Sequence, residues 1–156
     1  MRFIVDTNVG KLTKWLRILG YDTVFFKGKD DSEIISQALK EDRILLTRDT
    51  HLMEWGLIRD GRIRTLLVRS DNPDMQVVQV LEELGIKEFP GPFTVCLECN
   101  SSLVEIDRAA AVNSVPPYVF RTQRDFKVCP KCQRTYWRGT HWEIMKKRIG
   151  DLVRDI

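Results

Sequence analysis

Four cysteines in the second half of the chain form two pairs with the same internal spacing. They are Cys96 with Cys99 and Cys129 with Cys132, each pair separated by two residues. A tetrahedral zinc ion takes four soft ligands, and each C-x-x-C turn supplies two of them. All four positions are cysteine, which leaves no open coordination position for catalysis. The spacing therefore predicts a structural zinc site.

Two other interpretations of these cysteines are weaker. A pair of disulfides needs an oxidising compartment, and residues 1–6 lack the layout of a secretion signal. A redox C-x-x-C would place one pair beside a strand–helix unit rather than two pairs in one short segment. Because no apolar run approaches the length of a membrane span, we expect a cytoplasmic protein with no membrane association.

A second group of chemistry-bearing residues is acidic, and most of its members follow apolar runs typical of strands. Asp6 follows the first run, Asp49 the third and Asp71 the fourth, while Asp30 and Asp31 precede the second helix. In a parallel sheet the strand ends share one edge, where ligands bind. Carboxylates that converge there need a cation, and their hard oxygens suit Mg²⁺ or Mn²⁺. Such a site can polarise a phosphodiester and activate water.

Several of these acids also have an ordinary structural role open to them. Asp30 fits a helix capping box, and Asp31 can cap the same helix. Asp71 stands before residues typical of a turn. The acids at the first and third strand exits are harder to explain in that way. Asn8 and Thr47, which lie close to them in sequence, can orient their carboxylates or cap helices.

Basic residues form two groups that can contact phosphates. In the first helix, Lys11, Lys14 and Arg17 share one side just after the first strand; the alternative is a solvated helix face. Between residues 120 and 138, basic and aromatic side chains interleave. Basic groups bind phosphates and exposed aromatic rings stack on bases, although some of these rings must form the small core of the segment. The predicted RNA contacts here are Arg121, Arg124, Lys127 and Lys131.

The elements that position these residues follow from the apolar pattern of the first 90 residues. Apolar and β-branched runs predict strands, and helical periodicity between them predicts helices. This repeat favours an open, mostly parallel sheet covered by helices, because strands buried on both faces have continuous apolar runs. The predicted strands are Phe3–Val5, Thr23–Phe26, Ile44–Thr47 and Thr65–Val68. The predicted helices are Gly10–Leu19, one around Ile34–Leu39, a short one within 50–58, and Pro73–Leu84.

Composition divides the chain at a Pro-Gly-Pro sequence, residues 90–92. Residues 1–90 carry 14 basic and 15 acidic groups, whereas residues 91–156 carry 11 basic and 7 acidic groups and all four cysteines. The 156 residues are 43% hydrophobic and 30% charged, which excludes a disordered or collagen-like chain. We expect a domain over 1–90 and a small zinc module over 91–156, ending in a helix over Trp142–Val153.

Several segments together resemble a known family. The strand-exit sequence Asp6-Thr7-Asn8, an acidic helix start and Thr47-Arg48-Asp49 resemble the PIN-like ribonuclease fold. Further pieces, in order along nearly the whole chain, resemble the Mut-seven C-terminal RNase family, in which a PIN-like domain carries a C-terminal zinc ribbon. These pieces are Gly10-Lys11-Leu12, Arg43 to Asp49, Cys96 to Asn100, Val115 to Val119, and Tyr136-Trp137 with Gly139-Thr140-His141-Trp142.

The resemblance implies a ribonuclease that depends on Mg²⁺ or Mn²⁺, with RNA as its substrate, and a zinc ribbon that extends the RNA-binding surface. The ribbon cysteines would hold the zinc. The implied catalytic acids are Asp6, Asp49, and one or both of Asp30 and Asp31, with Asp71 as a fourth candidate and Glu33 as an alternative at the second acidic position. A non-catalytic RNA-binding protein of the same fold is the competing hypothesis. A phosphatase of the haloacid dehalogenase type is disfavoured, because Asn8 stands where its Asp-x-Asp motif needs a second Asp.

Overall fold

A four-stranded parallel sheet forms the centre of residues 1–90. The computed structural model describes residues 1–153, with the backbone alone at residues 141, 152 and 153. The strands lie in the order β2-β1-β3-β4, and each neighbouring pair is parallel. They are β1 (Arg2–Val5), β2 (Asp22–Phe25), β3 (Ile44–Thr47) and β4 (Thr65–Leu67). This architecture confirms the predicted parallel α/β sheet.

Helices cover both faces of the sheet. They are α1 (Lys11–Ile18), α2 (Asp31–Glu41), α3 (Gly56–Arg59) and α4 (Pro73–Glu83), with 3-10 turns at Thr7–Val9 and Leu52–Glu54. The strand order reverses between β1 and β3, and the carboxyl ends of these two strands flank the crevice that such a reversal opens. Residues placed directly after β1 and β3 therefore border one site.

Two apolar layers hold the helices on the sheet. Successive strand residues point to opposite faces, so Phe3 and Val5 pack in one layer with α1 and α4, whereas Ile4 packs in the other with α2. The same alternation separates Leu46 from Leu45 in β3. Burial on both faces explains why the strand sequences are continuously apolar.

Residues 91–139 form a smaller unit with an antiparallel sheet, which we call the ribbon. Its strands are β5 (Val104–Ile106), β6 (Phe126–Val128) and β7 (Thr135–Trp137), in that order, and it also contains a 3-10 helix (Arg108–Ala111) and α5 (Pro117–Thr122). Phe126 is buried with Val115 and Val119, and Phe120 and Trp137 pack against them. Several aromatic rings of the basic–aromatic stretch therefore form the core of this unit.

The last helix, α6 (Thr140–Val153), packs against the first 90 residues. Ile149 packs in the same layer as Trp15 and the residues of α4. Arg148 pairs with Asp74 at 2.6 Å, and its guanidinium carbon lies 5.0 Å from the centre of the Trp15 ring. The division into 1–90 and 91–156 stays a prediction, since this helix lies on the earlier segment. None of the helices within the described residues is long and apolar enough to span a membrane.

Candidate functional site

The carboxylate of Asp6 lies at the exit of β1, where neutral groups hold it in a fixed orientation. Its Oδ2 accepts hydrogen bonds from Thr47 Oγ1 at 2.6 Å and from Asn8 Nδ2 at 2.7 Å. Its Oδ1 accepts from the backbone N–H of Thr7 at 2.6 Å. Neutral donors orient a carboxylate without cancelling its charge. Asp6 is therefore a positioned and half-buried anion.

Thr47 and Asn8 connect the exit of β1 to that of β3. The Thr47 side chain is fully buried, and its Oγ1 accepts from the backbone N–H of Asp49 at 3.0 Å while it donates to Asp6. Asn8 Oδ1 accepts from the backbone N–H of Arg48 at 3.0 Å. The Asp49 carboxylate itself accepts from the backbone N–H of His51 at 2.8 Å. One hydrogen-bonded unit thus includes both strand exits.

The remaining predicted acids have individual surroundings. Asp30 caps α2, because its Oδ1 accepts from the backbone N–H of Ser32 at 2.8 Å. Hydrogen bonds from the backbone and from the side chain of Ser32 lower the pKa of Asp30. Asp31 is exposed in the first turn of the same helix. Asp71 is exposed and forms an ion pair with Arg48.

The chemistry of Asp6 and Asp49 fits a hard divalent cation. Among the described side chains, no basic group forms an ion pair with either carboxylate. Mg²⁺ is commonly held by one or two carboxylates together with water and substrate phosphates, rather than by a complete cage of protein ligands. The strand-end acids form no group of three ligands within reach of one ion in the described part of the chain. Their joint ligation of a metal stays a prediction.

The four cysteines do come together as metal ligands. Cys96 Sγ lies 3.5 Å from Cys132 Sγ, Cys99 Sγ lies 3.3 Å from Cys129 Sγ, and all four sulfurs lie within 4.8 Å of one another. Sulfurs at about 2.3 Å from one zinc ion stand roughly 3.8 Å apart in a tetrahedron, whereas a disulfide bond is about 2.05 Å long. The four cysteines can therefore bind zinc, and none is in a disulfide.

Both cysteine turns use a residue with left-handed backbone after the second cysteine. Asn100 and Gln133 have φ angles of 66° and 62°. This conformation lets the N–H of Asn100 bond to the carbonyl of Cys96 at 3.0 Å, and that of Gln133 to the carbonyl of Cys129 at 2.9 Å. Glycine is the usual residue in this conformation, and the chain forms the turns without it.

Tyr136 supports the cysteine site, a role that its sequence context did not indicate. Its hydroxyl lies 3.1 Å from Cys96 Sγ and accepts from the backbone N–H of Leu97 at 3.2 Å. Burial, and then the hydrogen bond to Cys96, raise the pKa of Tyr136. The hydroxyl consequently stays protonated and can donate to the sulfur, which fixes the orientation of that ligand.

The structure corrects the expectation that Arg17 contacts RNA phosphate. Arg17 is only 6% exposed. Its Nη1 donates to the carbonyls of Leu97 at 2.7 Å and Glu98 at 2.9 Å, and its Nε donates to the carbonyl of Thr23 at 2.9 Å. The guanidinium is thus used to join α1 and β2 to the first cysteine turn. Helical spacing placed Arg17 near the two lysines but gave no sign of these carbonyl partners.

The other predicted basic contacts are at the surface. Lys11 is exposed, and Lys14 is exposed with a 3.4 Å ion pair to Glu98. Lys127 lies 3.7 Å from Glu105. Arg121, Arg124 and Lys131 are exposed. Their contact with RNA stays a prediction.

The fold and its two candidate sites define an α/β protein with a parallel sheet, acidic residues at the carboxyl edge, and a small unit that carries four metal-binding cysteines. The model of the Mut7-C RNAse domain family matches residues 1–149. The chain belongs to this family, which confirms the resemblance noted from its sequence and indicates a ribonuclease-type function. Comparison with curated proteins and with solved structures gives no significant match.

Proposed function

We propose that the chain is a metal-dependent ribonuclease whose reaction takes place at the carboxyl edge of the sheet, beside Asp6 and Asp49. The observation that supports this most strongly is the pair of carboxylates at neighbouring strand exits, without a cationic partner among the described side chains. Thr47 bonds to the Asp6 carboxylate and to the backbone N–H of Asp49, which ties the two exits together. Buried polar networks keep an unpaired anion in one orientation at the cost of stability. Such an arrangement is expected where a cation and a phosphate bind together.

Asp6 and Asp49 would hold Mg²⁺ or Mn²⁺ in this proposal. When bound, such an ion polarises the phosphodiester and lowers the pKa of a water molecule. Thr47 and Asn8 hold the Asp6 carboxylate in one orientation at this edge. Asp31 and Glu33 are the candidates for a further acidic group, because Asp30 uses one oxygen as a helix cap and Asp71 pairs with Arg48.

The ribbon would bind zinc through its four cysteines and would contribute RNA contacts. Four cysteine ligands leave no open position on the ion, so its role is structural. The exposed lysines of α1, and the exposed lysine and arginines of the ribbon, would bind phosphates. Free thiols persist in reducing compartments, which supports a cytoplasmic location as part of the proposal.

An RNA-binding protein without catalysis is the alternative. It is favoured by one observation, that the acids of the described chain form no complete three-ligand metal site. It predicts affinity for RNA without cleavage in the presence of any divalent ion.

RNA cleavage by the zinc-loaded full chain tests the proposal. With Mg²⁺ or Mn²⁺ the wild type is expected to cut single-stranded RNA, and Asp6→Asn or Asp49→Asn to lower the rate at least about a hundredfold, since loss of even an indirect metal contact costs about 10- to 100-fold. Asp60→Asn is the matched control, because Asp60 is exposed beyond α3. Undiminished cleavage by both active-site variants, with melting curves like that of the wild type, would refute the proposal. RNA binding without any cleavage would favour the alternative.

A further inference from the structure

A groove of about 600 Å³ runs between α1, the end of β2 and the first cysteine turn. We propose that this groove binds a single strand of RNA and leads it to the carboxyl edge of the sheet. The inference rests on the proposed ribonuclease function and names the form of its substrate. One wall consists of Gly10, Thr13, Phe25 and Lys27, and the other of residues 97–100 with Lys131.

Thr13 supplies the first evidence that the groove is a binding site. The residue is only 4% exposed, it lines the groove, and its Oγ1 has no hydrogen-bond partner among the described residues. Buried hydroxyls are nearly always paired, and a helical threonine usually bonds to a carbonyl of the preceding turn. Less than 1 Å² of this Oγ1 is exposed, so a ligand hydroxyl or phosphate oxygen would become its partner once the Thr13 side chain turns toward the groove.

Phe25 connects the groove to the carboxyl edge. It pairs with Val5 in the parallel register of β1 and β2, so it lies next to the strand that Asp6 follows. Phe25 is partly exposed and belongs to none of the three hydrophobic clusters of the described chain. A Cβ at Gly10 would lie 2.9 Å from the Phe25 ring, so the glycine allows the ring its position. Partly exposed rings of this kind stack on unpaired bases.

The charge along the groove suits a phosphate backbone. Lys14, Lys27 and Lys131 line it, and among the described residues only Lys14 of these three has an ion-pair partner, Glu98. A basic groove beside an aromatic ring is the usual arrangement for single-stranded nucleic acid. A volume of this size holds small ligands, which is enough for the bases of one strand.

Arg17 makes the groove a preformed feature. Its guanidinium donates to Thr23 of β2 on one wall and to Leu97 and Glu98 on the other. Lys14 adds an ion pair between the same two walls. Binding to a site that is already ordered avoids part of the entropic cost of association. The groove therefore needs both the sheet domain and the ribbon.

Salt-dependent binding tests the role of the lysines. A labelled single-stranded oligoribonucleotide is titrated with the zinc-loaded full chain in the absence of Mg²⁺ and Mn²⁺, so that affinity is measured apart from cleavage. Each phosphate contact with a single strand contributes about 0.7 to the slope of log K against log salt. The double variant Lys27→Ala/Lys131→Ala is expected to lower that slope by roughly 1.4. The matched control Lys40→Ala/Lys87→Ala, at two exposed lysines outside the groove, should leave it unchanged.

Thr13→Val tests the groove with a change that keeps the shape of the side chain. The variant is expected to bind the oligoribonucleotide about fivefold more weakly or worse, because one hydrogen bond to the ligand is lost. Its thermal stability should be equal to or above that of the wild type, since an unpaired buried hydroxyl is removed. Thr13→Ser should restore binding. If Thr13 has only a structural role, Thr13→Val and Thr13→Ser will bind the oligoribonucleotide as tightly as the wild type.

The outcomes separate this inference from the proposed function. Wild-type affinity in both the Thr13→Val and the Lys27→Ala/Lys131→Ala variants would refute RNA binding in the groove, even if the wild type cuts RNA. Equal affinity for a duplex of the same length, or equally effective competition by an acidic peptide, would overturn it as well. If the variants lose binding and the wild type never cleaves RNA, the groove is an RNA-binding site and the proposed ribonuclease activity is refuted.

Discussion

At the scale of single residues, acidic groups with similar sequence contexts have different bonding partners, and those partners lie far away along the chain. Asp6 is bonded to Thr47, which lies 41 residues further along the chain, and Asp71 pairs with Arg48. The position of each acid at a strand or helix end could be predicted from the apolar pattern. Its partner could not, because the pairing depends on which strands become neighbours in the sheet.

Thr47 is expected to act as a positioning residue for Asp6. Thr47→Val removes the donor to Asp6 Oδ2 and the acceptor for the N–H of Asp49. We expect RNA cleavage about 10- to 100-fold slower and a higher Mn²⁺ concentration at half-maximal rate, because the ligand carboxylate loses its orientation. Thr47→Ser should restore both values. An unchanged Mn²⁺ dependence, with only a lower melting temperature, would reduce Thr47 to a packing role.

Asp22 is expected to make stability depend on pH. Burial would raise its pKa, but hydrogen bonds from Arg43 and Asn100 outweigh burial, and the pKa of Asp22 is lowered. A lowered pKa stabilises the fold above the unfolded value of about 3.9, and the contribution is lost as the pH falls through the folded value. Urea unfolding should therefore show a steeper loss of stability below about pH 4 in the wild type than in Asp22→Asn. Parallel curves would contradict this.

At the scale of elements, the ribbon covers part of the β2 edge of the parallel sheet. β2 is an edge strand, and its Thr23 N–H donates to Asn100 Oδ1 at 2.8 Å while the Thr23 carbonyl accepts from Arg17. Unpaired strand edges promote association between chains, and here the side chains of Asn100 and Arg17 bond to both backbone groups of Thr23. Apolar periodicity predicted the strand itself. It carried no information about Asn100, which lies 77 positions from Thr23 along the chain.

Arg17→Met is expected to destabilise the fold by about 3 kcal/mol, because three hydrogen bonds from a buried guanidinium are lost and their carbonyls stay in place. Lys11→Met, on the exposed side of the same helix, should change stability by less than about 0.5 kcal/mol. Urea unfolding measures both. A stable Arg17→Met variant that has lost only RNA affinity would restore the phosphate-binding role predicted from the sequence.

At the scale of the whole molecule, two segments with different sequence character form one structure. Continuous apolar runs and helical periodicity were sufficient to predict the parallel sheet and its helices, and the C-x-x-C spacing was sufficient to predict the cysteine site. The contacts that join the segments, such as Arg17 with Leu97 and Arg148 with Asp74, involve ordinary surface-type residues. Their sequence positions give no periodic or spacing signal, so they could not be predicted.

Removal of zinc is expected to loosen the edge of the sheet as well as the ribbon. A structural zinc site supplies much of the folding free energy of a small module, and Asn100 belongs to its first turn. Hydrogen exchange after chelation should therefore accelerate at the Thr23 amide, which bonds to Asn100, but much less at the Leu45 amide in the central strand β3. Unchanged protection at Thr23 in the zinc-free chain would show that the edge does not depend on the ribbon.

Cleavage of an RNA with one phosphorothioate linkage shows whether a divalent ion contacts the phosphate that reacts. Sulfur is a softer ligand than oxygen. Mg²⁺ binds sulfur poorly, whereas Mn²⁺ binds it better. With Mg²⁺ the wild type should cut the sulfur-substituted linkage at least about tenfold more slowly than the phosphate linkage, and Mn²⁺ should restore most of the rate. Equal rates at both linkages with either ion, or cleavage that continues without a divalent ion, would rule out metal-dependent catalysis by this chain.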